Sequence, residues 1–179
     1  MRSRFSSTHK KVVIRKLDKT MVRGFVNPTG FSLNGAVELL DVEGRRISLD
    51  LRELKGVYFV REFEGNPHRA ERKVFNSRPR TTGLWIRMTF HDNEVMEGLV
   101  SRNLLELDGQ GLLVTPPDMY SNNLRIFVPR NALREVNVLG VIGENASRRG
   151  RKGPAPASGQ PDQYGLFLGG GPKSKQLIE

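Results

Sequence analysis

The stretch Arg46-Ile47-Ser48-Leu49-Asp50-Leu51-Arg52-Glu53-Leu54-Lys55-Gly56-Val57 is echoed, spacing included, by Arg125-Ile126-Phe127-Val128-Pro129-Arg130-Asn131-Ala132-Leu133-Arg134-Glu135-Val136. Each reads as a β-branched or aromatic strand, four residues that suit a single 3₁₀ turn (Leu51–Leu54 and Arg130–Leu133), and the start of another strand. Two earlier blocks continue the match. Val12-Val13-Ile14-Arg15 aligns with Leu84-Trp85-Ile86-Arg87, and Val22-Arg23-Gly24-Phe25-Val26 with Met96-Glu97-Gly98-Leu99-Val100. Gly24 and Gly98 fall mid-strand at the same place, where a small barrel needs a sharp bend with no side chain in the way. Self-similarity of this kind is the signature of a repeated unit.

Outward from these blocks, the chain reads as two sets of five short strands. The first set is 12–17, 22–26, 36–41, 46–51 and 56–63; the second is 84–90, 94–100, 111–115, 124–128 and 133–140. Turn residues such as Asp18-Lys19, Asn27-Pro28, Asn34-Gly35 and Glu43-Gly44 separate them. The expected architecture is all-β, two tandem five-stranded small barrels over residues 10–63 and 83–142. Residues 64–82 form a basic linker between them, with a short helix expected near 67–75 and Pro79 beyond its end. Residues 1–9 read as a flexible basic N-terminus. From residue 143 the composition turns Gly-, Pro- and Ser-rich without hydrophobic periodicity, which predicts a disordered basic tail.

The 179 residues contain no cysteine, which excludes disulfides, thiol nucleophiles and Cys-ligated metal. No apolar run is long enough to cross a membrane as a helix, and the N-terminus lacks the apolar core of a secretory signal, so a cytoplasmic location without membrane contact is expected. His9, His68 and His91 are the three histidines; His91-Asp92-Asn93-Glu94 resembles a ligand set but sits where a hairpin turn belongs. The carboxylates read as scattered surface positions. Gly169-Gly170-Gly171-Pro172-Lys173-Ser174 imitates a phosphate loop without its strand and helix. With no nucleophile, metal cluster or cofactor motif, the expectation is a non-enzymatic binding module that uses no cofactor and no metal.

The net charge of +10 is concentrated at the ends and in the linker. Residues 144–179 carry six basic residues against three acidic ones, and the linker holds Arg69, Arg72, Lys73, Arg78 and Arg80 around Glu71. These residues, with Arg148, Arg149, Arg151 and Lys152 of the tail, are the candidate contacts to RNA or single-stranded DNA. Trp85 is the candidate base stack and Arg87 a phosphate partner beside it. The competing account has Val13 and Trp85 bury a contact between barrels, and Arg78 and Arg80 pair with Glu62 and Glu64 as a brace. A protein-adaptor reading uses instead the Tyr164–Leu168 apolar island and the exposed barrel edges, which can accept an added strand.

The blocks HKKVVIRKLDKTMVRGFVN, LKGVYFVREFEGNPHRAERKVFNSRPR, GLWIRMTFHDNEVMEGLV and PPDMYSNNLRIFVPRNALREVNVLG resemble those of an uncharacterised bacterial protein family, over roughly residues 9–143. The five-strand pattern is similar, more weakly, to Sm-like and SH3-like small barrels. That likeness implies RNA binding by the loops after the second and fourth strands, here Asn27-Pro28-Thr29-Gly30 and the segment after Leu49. Arg130-Asn131-Ala132-Leu133-Arg134 and Asn145-Ala146-Ser147-Arg148-Arg149-Gly150 also resemble the two motifs of PilZ domains, which implies a cyclic-dinucleotide receptor as a further alternative.

Overall fold

A computed structural model of the chain describes residues 8–65, 68–103 and 109–143. Eleven antiparallel strands make up its regular structure: β1 Lys10–Lys16, β2 Met21–Val26, β3 Ser32–Leu33, β4 Ala36–Asp41, β5 Arg46–Asp50, β6 Leu54–Val60, β7 Gly83–Phe90, β8 Val95–Val100, β9 Gly111–Val114, β10 Asn123–Pro129 and β11 Leu133–Ile142. The turns Leu51–Glu53 and Arg130–Ala132 are both 3₁₀. Asp50 caps the first by accepting from the Arg52 N–H at 2.8 Å. Asn34 and Gly35 both take positive φ, 51° and 81°, as the tight connection between β3 and β4 requires.

The strands form two antiparallel sheets rather than two closed barrels. One runs β3-β4-β2-β1-β6-β10-β9 with β5 on the far side of β4; the other is β11-β7-β8. Among the described residues a single bridge, Leu99 to Thr115, ties β8 to the end of β9. The expectation of two separate barrels fails at β6, which pairs with β1 on one side and with β10 on the other. The physical reason is the apolar character of both β6 faces and of Ile126, Phe127 and Val128: two such strands bury more surface against each other than either does at an open edge.

This β6–β10 seam also exchanges side chains between the two cores. Phe127 of β10 lies in the cluster of Val12, Ile14, Val37, Leu39, Leu54 and Val57, where its ring meets Phe31 edge-on at 5.1 Å. Tyr58 of β6 packs instead on the cluster of Ile86, Met88, Phe90, Val114 and Ile126. Neither core is complete without a residue from the other half.

Strand registers correct the sequence alignment by two residues. Gly24 stands opposite Val12, and Gly98 opposite Ile86. With the glycines matched, Val12 therefore corresponds to Ile86 and Val13 to Arg87, not to Trp85. The shift of two leaves every residue on its expected face, so alternation alone could not detect it. Both glycines are required by close approach. A Cβ on Gly24 would enter Leu39 and the Leu40 carbonyl, and one on Gly98 would enter Val114 and come within 2.9 Å of the Thr115 carbonyl oxygen.

Within 68–82 there is no helix near 67–75; the segment runs irregularly across the sheets. Its backbone groups are used laterally. The Glu97 N–H donates to the Lys73 carbonyl at 2.7 Å, and the Phe75 N–H donates to Glu97 Oε2 at 3.0 Å. Groups committed to a neighbouring strand cannot also close helical turns.

Candidate functional site

The linker roofs a groove of about 410 Å³ over the seam. Its floor is apolar, from Val13, Tyr58, Val60 and Ile126, and its rim carries Arg15, Arg69, Arg72 and Lys73 beside Glu71 and Glu94. Burial pushes the Tyr58 hydroxyl up from its ordinary value. Most rim cations are already engaged. Arg69 holds Asp118 at 2.7 Å, and Lys73 holds Glu94 Oε1 at 3.0 Å. Glu71 is spent on Ser121, Asn122 and Asn123. The groove is thus amphipathic and near electrical balance, with no strong excess of positive charge.

Beneath the rim lies a charge cluster that joins the two halves. Lys55, only 4% exposed, donates to Glu94 Oε2 at 2.6 Å and to Asp92, while its Nζ sits 4.9 Å from the centre of the Phe90 ring. Arg15 reaches the same Glu94 oxygen at 3.4 Å. The hydrogen bond from Lys55 holds the Asp92 carboxyl below its usual range. Burial works to raise Glu94, but the bonds from Lys55 and Lys73 outweigh it and leave that carboxyl low as well. The β7–β8 turn therefore presents two ionised carboxylates to a buried ammonium of β6.

Glu97 organises a second cluster. It is 2% exposed, and its carboxylate accepts from the Phe75 N–H, from Trp85 Nε1 at 3.1 Å, and from Arg87 Nε and Nη2 at 3.1 and 2.7 Å. Phe75 meets Trp85 edge-on at 5.9 Å. Burial acts to raise the Glu97 carboxyl, and these donors bring it below its usual range. The arrangement holds Trp85 and Arg87 to their own strand pair.

The third feature is β11, which pairs only with β7. Among the described residues no other strand pairs with it, and Arg78 donates to its Val141 carbonyl at 3.3 Å. Val136, Val138 and Val141 are 42%, 62% and 56% exposed, and Leu139 is also exposed. On β6, the strand that follows the other 3₁₀ turn, Val57 and Phe59 are buried in a cluster with Val12, Ile14 and Phe127 of β10.

The residues singled out in the sequence are thus dispersed. Arg69, Arg72 and Lys73 converge on the groove. Trp85 and Arg87 meet at Glu97 instead. Arg78 donates to the Val141 carbonyl at 3.3 Å, and Arg80 is exposed. The expected brace to the first half is absent: Glu62 pairs with Lys11 and Glu64 with Arg23. Arg148, Arg149, Arg151, Lys152, the Tyr164–Leu168 island, the glycine run at 169–174 and the second PilZ-like motif lie outside the described residues. Among the described residues no three His, Asp or Glu side chains gather as a metal site, and no helix is long and apolar enough to cross a membrane. The expectation that carboxylates lie scattered on the surface fails for Glu97, whose burial the alternation of β8 hides: Met96, Glu97, Gly98 and Leu99 are all buried, so both faces of that strand are covered.

Fold and surfaces together define an all-β antiparallel protein with an amphipathic groove and an open edge strand. The chain belongs to the family of unknown function DUF6982, whose pattern matches residues 8–140. No curated protein and no solved structure matches it.

Proposed function

We propose that this chain is a non-enzymatic binding module of the protein-adaptor type, which accepts an added strand of another polypeptide along β11. In this reading residues 10–63 and 83–142 are two small-barrel-like units of similar strand pattern, the first with the extra two-residue β3, joined at the β6–β10 seam. The observation that carries it is the outer side of β11, a ten-residue strand that no other described strand pairs on that edge. Val136 and Val138 are exposed there at alternating positions, and Val141 is exposed beyond the register shift that follows Val138. A long exposed apolar edge is a liability unless something covers it, and strand addition is the usual way an edge binds a peptide.

A polyanion reading keeps Arg72 and Arg80 together with the basic tail. It is the weaker of the two, because Arg69, Lys73 and Arg87 each already hold a carboxylate of the same chain. A comparison of pull-downs from a bacterial lysate separates the readings. The adaptor reading expects a set of proteins retained equally with and without nuclease and little affected between low and moderate salt. It also expects Val136→Lys with Val138→Lys to release them at an unchanged melting temperature. Retention that disappears with nuclease and falls steeply with salt contradicts it and supports nucleic acid.

A further inference from the structure

We infer that the strand added to β11 is β5 of a second copy of this chain, joined in the register that β10 uses on β6. This rests on the strand-addition reading above and names its partner. The basis is the seam that the chain already makes with itself. β6 and β11 each follow a 3₁₀ turn at the end of a half, and β5 and β10 each precede one. Their internal registers agree. Val57 faces Ile14 and Phe59 faces Val12 on β1, as Val136 faces Met88 and Val138 faces Ile86 on β7. Ile47 faces Leu39 on β4, as Ile126 faces Val114 on β9.

β6 and β10 are joined to each other, which leaves β5 and β11 as the two equivalent edges without a partner among the described residues. One edge of each kind, β5 beside β4 in the larger sheet and β11 beside β7 in the smaller, is what a head-to-tail assembly needs. Such a heterologous contact either closes into a ring or extends.

The existing seam fixes the expected pairs. It sets Arg125 opposite Phe59, Ile126 opposite Tyr58 and Phe127 opposite Val57. Carried to the free edges, Arg46 falls opposite Val138, Ile47 opposite Asn137, and Ser48 opposite Val136 of the other copy. Val136 and Val138 are thus exposed at the positions where Val57 and Phe59 are buried in a cluster that includes Phe127 of β10. Two substitutions weaken the contact relative to its template: Ser48 stands where Phe127 inserts into the neighbouring core, and Asn137 where Tyr58 does so in return. The intermolecular seam therefore depends on concentration, whereas the internal one is permanent.

The absence of cysteine makes the register directly testable in the full chain. Ser48→Cys and Val136→Cys are prepared as separate variants, mixed, and treated with a short bismaleimide. Directly opposite residues of an antiparallel pair lie about 5 Å apart, within its reach. The expected result is a covalent dimer in the mixture and not in either variant alone. Replacing Val136→Cys by Val141→Cys should abolish the product, and wild type should gain mass with concentration by sedimentation. A dimer formed by Val136→Cys alone overturns the inference in favour of symmetric β11–β11 pairing. A wild-type chain that stays monomeric at all concentrations, with no product in the mixture, also overturns it. The lysate comparison is independent of both results, so adaptor binding to a different protein survives if only the partner is wrong.

Discussion

Glu97→Ala lowers the unfolding free energy by about 3 kcal/mol, the largest effect expected of any polar substitution in the described residues. Four donor groups lose their acceptor at once: the Phe75 N–H, the Trp85 indole and two Arg87 nitrogens. The Arg87 side chain is 49% exposed and regains water, so its share is small. The indole and the Phe75 amide do not escape as easily. Trp85 is the sole tryptophan, so urea unfolding followed by its fluorescence reads the site itself. Glu97→Gln keeps volume and one acceptor and costs less, but it changes the pH response. The Glu97 carboxyl sits below its usual range when folded, so its contribution is present above the unfolded value of about 4 and fades as pH falls through the folded value. The Gln variant therefore shows a flatter acid limb than wild type as pH falls below about 5. An unaltered acid limb would mean that Glu97 has no special ionised role.

Gly98→Ala is the second large effect, also about 3 kcal/mol, with failure to fold as its upper limit. The added methyl would occupy the space of Val114 and press on the backbone carbonyl of Thr115, which is hydrogen-bonded to the Leu99 N–H at 3.0 Å. Since that bond belongs to the one bridge between β8 and the end of β9 among the described residues, relief by moving the strand breaks that tie between the two sheets. Gly140→Ala is the control. Its new Cβ would meet nothing nearer than Trp85 at 3.9 Å, so its melting temperature stays within a few degrees of wild type. Equal losses at Gly98 and Gly140 would show that glycine flexibility, rather than close approach, governs both positions.

These two neighbours mark the limit of what the sequence conveys. Gly98 was legible, because a glycine interrupting a β-branched run at the same point as Gly24 announces a close crossing. Glu97 was not. A carboxylate flanked by apolar residues on a strand reads as the solvent face, and only the linker lying across β8 makes that face internal. Lys55 was hidden in the same way: its partners Asp92 and Glu94 come from a turn in the other half of the chain. The strands and both 3₁₀ turns follow from local pattern. The seam does not, because β6 and β10 are each apolar enough to be either a barrel wall or a shared one, and no local signal separates the two. The linker failed as a helix for a related reason. Its helical spacing of Ala70 and Val74 is outweighed by long-range bonds from Glu71, Lys73 and Phe75 to strands distant in sequence.

Amide hydrogen exchange of β11 against β6, followed across protein concentration in the intact chain, tests the central claim that β11 is an open edge awaiting a strand. Half of the β11 amides point away from β7, and in dilute solution these should exchange quickly while β6, paired on both sides, stays protected. As concentration rises, the outward amides of β11 and of β5 should become protected together, with β6 unchanged. Outward amides of β11 that are as protected as those of β6 in dilute solution, or that remain unprotected at every concentration and with any lysate protein bound, would contradict the account.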